Sequence, residues 1–169
     1  DDDGFFASRD ERFETVTYAI TSDRIDLGTD PTADDDVPDL GDLATVRLAV
    51  EPVGESPVFV GIGPTAEVSS YLDGVAHATV EHVGLGSGRV DYAYAEGGAP
   101  ARPPGDESFW VAQASGSSRQ SLEWEVQTGQ WSVVVMNADA SPAVGVNASV
   151  GVEADWVLPA GLALFGFGL

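Results

Sequence analysis

The densest run of chemistry-bearing side chains is GTDPTADDDVPDLGD, residues 28–42, which holds Asp30, Asp34, Asp35, Asp36, Asp39 and Asp42. Carboxylates at short spacing are what a hard cation such as Ca²⁺ requires. The order departs from the Asp-x-Asp-x-Asp-Gly loop, and no glutamate occupies its closing position. The stretch therefore reads first as a solvated surface loop. A Ca²⁺ site on these six aspartates is the competing reading, and no other cofactor is expected.

His77 and His82 are the only histidines, and HATVEH approaches the H-x-x-E-H motif of zinc hydrolases. Three residues precede the glutamate here where that motif has two. Strand alternation puts the two rings on opposite faces, which predicts no shared metal. In GIGPTA, Gly61, Gly63 and Ala66 imitate the G-x-G-x-x-A dinucleotide fingerprint, yet proline follows the second glycine and no βαβ train surrounds it. A tight strand-to-helix turn is the expectation. GLGSGR lacks the flanking pattern of a nucleophile elbow around Ser87 and reads as a turn. No catalytic triad assembles, so the chain is expected to be non-enzymatic.

Aromatic rings offer a second kind of chemistry, since Tyr92, Tyr94, Trp110, Trp124 and Trp131 all fall in strand-like stretches. Rings exposed together stack on sugars. Trp124 and Trp131 share the apolar phase of Leu122, Val126, Val133 and Val135, which assigns them to the core. Trp110 is out of phase with Phe109 and Val111, so it is predicted to be exposed and is the candidate glycan contact. Asn147, in NAS, is a glycosylation acceptor sequon.

The elements that would position these residues are strands. Period-two alternation marks FETVTYAI (Val16, Tyr18, Ile20), LATVRLAVE (Val46, Leu48, Val50), PVFVGI (Val58, Val60, Ile62) and RVDYAY (Val90, Tyr92, Tyr94) as half-buried. QSLEWEVQ, WSVVVMN and AVGVNASVGV follow one another across short turns and predict a three-strand antiparallel meander. With strands near VAHATVEHV and ESFWVAQAS, the count reaches eight or nine. The expectation is an all-β fold, a two-sheet antiparallel β-sandwich of jelly-roll-like kind, because an antiparallel sheet with one apolar face needs a second sheet to cover it. GPTAEVSSYLDG is the one helical segment, with Pro64 at its start and Gly74 as its stop, and is expected to connect the sheets. Residues 28–42 and 96–107 lack periodicity and read as loops. The predicted core is Val46, Leu48, Val50, Val58, Val60, Ile62, Leu122, Trp124, Val126, Val133 and Val135.

Composition narrows the function classes. With 169 residues, 43% of them hydrophobic, the chain supports one domain, 1–154, plus a short appendage, 155–169. Its 28 acidic and 7 basic residues give a formal charge of −21, which repels phosphate backbones and excludes nucleic acid as a partner. All seven basic residues are arginine, and there is no cysteine for disulfides or thiolate metal sites. The chain opens at Asp1 with DDDGFF, as expected after removal of a signal peptide.

From Trp156 to Leu169 the sequence carries no charge and no polar side chain apart from the Trp156 indole N–H. With Pro159 near the start and glycines spread through it, this stretch suits a membrane helix better than a strand. Trp156, Leu158, Leu162, Leu164, Phe165, Phe167 and Leu169 are its predicted lipid contacts. Its fourteen residues reach about 21 Å of helix, short of the roughly 30 Å hydrocarbon core, so it is expected to be the first part of a transmembrane anchor.

The phrases YAITSDRIDLG, PVFVGIGPTAEVSSYLDGVAH, GGAPARPPGDESFWVAQASG and WSVVVMNADASP resemble a group of uncharacterised exported proteins of high-G+C actinobacteria, over most of residues 13–160. That resemblance implies a signal peptide, one extracytoplasmic β-rich domain and C-terminal membrane attachment, and it assigns no catalytic residue. Residues 122–152 are more loosely similar to the last strands of secreted sandwich modules that accompany peptidases and other exported enzymes. The expected function is that of a membrane-anchored extracytoplasmic domain acting through protein contacts, as an accessory subunit of an envelope or membrane complex. A glycan- or Ca²⁺-binding sandwich module is the alternative.

Overall fold

The computed structural model describes residues 6–7, 10–22, 44–84, 89–125, 127 and 129–154. Over these residues the chain is mostly β, with eleven strands in two sheets and one short α-helix. The strands are β1 (Phe6–Ala7), β2 (Glu11–Thr15), β3 (Ala19–Ser22), β4 (Ala44–Pro52), β5 (Val58–Pro64), β6 (His77–Gly84), β7 (Arg89–Ala95), β8 (Ala112–Gly116), β9 (Gln120–Glu125), β10 (Trp131–Asn137) and β11 (Val144–Ala154). Helix α1 spans Thr65–Leu72. The first sheet runs β1-β11-β4-β9, with β2 also on β11, and the second runs β7-β6-β3-β10-β5-β8.

The pairing is nested. β2 pairs with β11, β3 with β10, β4 with β9 and β5 with β8, all antiparallel, and successive pairs alternate between the two sheets. From β2 to β5 and again from β8 to β11, consecutive strands therefore cross from one sheet to the other. The predicted meander fails for this reason: β9 pairs with β4, β10 with β3 and β5, and β11 with β4, so β9, β10 and β11 make no hairpin with one another. The turn around Gly129 bridges sheets. The antiparallel expectation has one exception, because β6 joins β3 in parallel and carries β7 with it as an added hairpin.

Alternation gives the main core its membership. Val46, Leu48, Val50, Leu122 and Trp124 come from the first sheet, and Ile20, Val58, Val60, Ile62 and Val135 from the second. All are buried in one cluster, with Val133 and Trp131 half-buried against it. Val126 lies outside the described residues.

The centre of the second sheet, β3, β10 and β5, is buried on both faces, so β5 and most of β10 are apolar runs rather than alternating strands. Ala19, Phe59, Val134 and Met136 point away from the main core into a second cluster with Val68 and Leu72 of α1, Val75 and Trp110. Val68 and Leu72 are four apart and so share one face of the helix. Thr65 Oγ1 meets Ser132 Oγ at 3.0 Å at the helix start. Gly74, at φ 76°, breaks the helical conformation beyond its end. The helix joins β5 to β6 within the second sheet; it does not connect the two sheets as expected.

FETVTYAI divides into two strands. Thr15 Oγ1 accepts a hydrogen bond from Thr17 N at 3.1 Å and lies 2.7 Å from Thr17 Oγ1, a local side-chain turn that competes with strand pairing. Val16 stands at the apex and is 84% exposed, contrary to its predicted place on a dry face.

Candidate functional site

The same bend begins a cleft. Glu14, Thr15 and Val16 form one wall, the β4–β5 turn at Val53, Gly54 and Ser56 another, and Tyr94 of β7 closes the side. Asn137 and Ala143, at the two ends of the β10–β11 loop, complete it. The cleft holds about 520 Å³, within the roughly 300–1,000 Å³ of small-ligand pockets.

Its walls are apolar where a soluble surface is normally polar. Val16, Val53 and Tyr94 are 84%, 43% and 63% exposed, and they are three of the four exposed large hydrophobic residues among those described. Tyr94 owes its position to β7. In the register of β7 it follows Tyr92 on the inner face. Tyr92 reaches across to the other sheet, where its phenol oxygen accepts a hydrogen bond from Glu14 N at 3.1 Å. Burial raises the Tyr92 phenol pKa, and the charges of Tyr94 and Glu14 add to the rise against that hydrogen bond. The Tyr94 ring sits 6.0 Å from Tyr92 and projects past the covered part of the sheet.

The β10–β11 loop is held under strain. Ala140 and Ala143 have φ of 62° and 68°, a region costly for residues with a Cβ. Buried Asn137 fixes them by donating from Nδ2 to the carbonyls of Ser141, Pro142 and Ala143 at 3.1, 3.3 and 3.1 Å. Asp139 Oδ1 accepts from Ser141 N at 3.0 Å and Ser141 Oγ at 2.6 Å, contacts that hold the Asp139 carboxyl below its ordinary pKa. Ala143 N donates to Thr17 O at 3.1 Å and ties this loop to the Val16 bend.

Among the described residues, no arginine or histidine lines the cleft. Arg12 pairs with Glu14 at 3.7 Å, Arg47 with Glu123, and Arg119 with Asp10 and Glu51. The Arg119 guanidinium holds the Asp10 carboxyl below its usual range. These are exposed pairs on the polar face of the first sheet and are worth about 0–1 kcal/mol each.

Among the described residues, those singled out in the sequence do not converge. Asp30, Asp34, Asp35, Asp36, Asp39 and Asp42 lie outside the described residues, as do Ser87 and the tail residues Trp156, Leu158, Leu162, Leu164, Phe165, Phe167 and Leu169. Among the described residues no group of three or more His, Cys, Asp or Glu is placed to hold a metal, and no helix is long and apolar enough to cross a membrane.

Trp110 corrects the expectation of an exposed glycan contact. It is 9% exposed, and Nε1 donates to Pro104 O at 2.8 Å. The alternation argument fails because β8 starts only at Ala112, so Phe109 and Trp110 precede any strand. Their rings cover Gly61 and Gly63, which gives those glycines a packing role. A Cβ on Gly61 would come within 2.7 Å of Trp110 Cε3, and one on Gly63 within 3.0 Å of Phe109 Cδ2.

His77 lies half-buried, its Nδ1 2.8 Å from Val75 O. A register shift between Val80 and His82 interrupts the alternation that placed the two histidines on opposite faces. Five strand positions still separate them by about 16 Å. Asn147 is half-buried in β11 between Arg12 and Glu51 of its neighbours, and its Oδ1 accepts from Arg12 Nε at 3.4 Å.

Comparisons of the chain with protein-family models, with curated proteins and with solved structures find no match.

Proposed function

We propose that the two sheets form a jelly-roll β-sandwich and that the chain is a non-enzymatic extracytoplasmic module acting by contact through its end cleft. The nested pairing and the core shared between the sheets support the jelly roll. The observation that carries the contact reading is the gathering of Val16, Val53 and Tyr94 at one cleft, beside a loop whose backbone is strained and over-determined. Exposed apolar patches mark interaction sites, and strained backbone concentrates at functional ones. The charge of −21 is compatible with a surface that stays soluble everywhere else. The apolar tail from Trp156 to Leu169 supplies attachment to a membrane, where the module serves as an accessory subunit.

Hydrogen exchange of the chain alone and of the chain in its native membrane tests this. Added protection in residues 14–17, 53–56 and 137–143 is the expected result. Protection confined to β9 and the polar face of the first sheet would contradict it.

A glycan-binding reading keeps one observation, the exposed Tyr94 ring beside the Tyr92 ring. A panel of soluble oligosaccharides, scored by quenching of tyrosine fluorescence, separates it from protein contact.

A further inference from the structure

We propose that the end cleft faces away from the membrane and takes an apolar segment of a partner protein's domain in the aqueous phase, beyond the reach of lipid and of transmembrane helices. This rests on the contact reading of the cleft and on attachment through residues 156–169, and it adds where the partner must stand. Strand β11 supplies the distance. Its first residues, Val144 and Gly145, line the cleft, and its last, Ala154, precedes Trp156 by two positions. The eleven residues of β11 span about 34 Å of antiparallel strand. Two residues of chain reach at most about 7 Å, so the apolar tail leaves from the opposite end of the sheet. β4 runs the same course in reverse: Ala44 pairs with Ala154, Pro52 pairs with Val146, and Val53, next in the chain, lines the cleft. Pairing with β1, β2 and β4 together holds β11 over its whole length. Charge keeps the module from lying down on the bilayer. At −21 it is repelled by anionic headgroups, and on the polar face of the first sheet Arg12, Arg47 and Arg119 are each paired with carboxylates. Val16, Val53 and Tyr94, which line the cleft, then stand about 30 Å from the headgroups.

The sequence contains no cysteine, so one introduced thiol takes one label. Glu55→Cys, between the lining residues Gly54 and Ser56, marks the cleft. Glu125→Cys marks the other end, because Glu125 pairs with Thr45, which pairs in turn with Glu153. Both positions are exposed, and both changes remove one carboxylate. The full-length protein, carrying a fluorescent donor at one thiol or the other, is reconstituted in phosphatidylcholine–phosphatidylglycerol vesicles with an acceptor on the headgroups, and flotation of the vesicles scores attachment. Energy transfer should place the label at position 55 about 25 Å farther from the headgroups than the label at position 125. Equal distances, or a shorter one from position 55, would overturn the proposal alone. Protein that does not float with the vesicles would overturn it together with attachment through residues 156–169. A benzophenone amino acid in place of Val53, illuminated in native membranes, tests the occupant. A protein adduct is the expected result, and a lipid adduct would overturn the proposal. No adduct of either kind would overturn the contact reading and the proposal with it.

Discussion

Trp110 stands where a side chain on Gly61 would have to go. A Cβ at that glycine would meet Trp110 Cε3 at 2.7 Å and Phe59 Cε1 at 2.8 Å, inside a buried aromatic cluster. The two ring centroids are themselves 5.1 Å apart. Gly61→Ala should therefore destabilise by about 1–3 kcal/mol through overpacking. Gly54→Ala, with no atom within 4 Å of its Cβ, should stay within about 0.5 kcal/mol of the parent. Urea midpoints of the two variants check this, and a Gly61→Ala midpoint equal to the parent's would show that the Trp110 seat is wrong.

Asn137 organises the strained loop at the cleft. Removing its amide in Asn137→Ala leaves the carbonyls of Ser141, Pro142 and Ala143 without that donor and should cost about 1–3 kcal/mol. The positive φ of Ala140 and Ala143 should relax at the same time. Amide chemical shifts confined to residues 137–144 and their neighbour Thr17 are the expected signature, and an unchanged loop would contradict it.

Tyr71 makes the fold sensitive to alkali. Its hydroxyl donates to Arg102 O at 2.6 Å, and burial, helped by Glu107 and Asp106, pushes its pKa from 10.0 up to about 12. A raised pKa means that folding favours the neutral phenol. That stabilisation is complete below pH 10 and is lost as pH climbs toward about 12. Tyr71→Phe should lower stability at pH 8 and flatten the decline between pH 10 and 12. An alkaline decline as steep in the variant as in the parent would assign the effect to other groups.

Self-repulsion at a charge of −21 should be relieved by salt. The screening length falls from about 10 Å at 0.1 M to about 3 Å at 1 M, so Tm should rise across that range. A Tm indifferent to NaCl that jumps with millimolar Ca²⁺ would instead favour a calcium site on the aspartates between 30 and 42.

The all-β class, the two sheets and most of the core could be read from alternation at Val46, Leu48, Val50, Leu122 and Trp124, because burial on one face imposes period two. Topology could not. The step from Glu125 to Trp131 looks like a hairpin turn, and only long-range pairing reveals that it crosses between sheets. Val58–Pro64 gave a weaker signal, since helix α1 and the Trp110 segment cover its second face and erase the alternation. The cleft was hidden for a related reason. Val16 and Tyr94 occupy apolar phases of strand-like runs, and nothing local says that one strand stops at Thr15 while the other outruns its cover.

The most direct measurement is site-specific photo-crosslinking in native membranes, with a benzophenone amino acid in place of Tyr94 or, as the control, Gln113 on β8. Contact through the cleft predicts a discrete crosslinked product from position 94 and none from position 113. Equal products from both positions, or a product from position 113 alone, would contradict it.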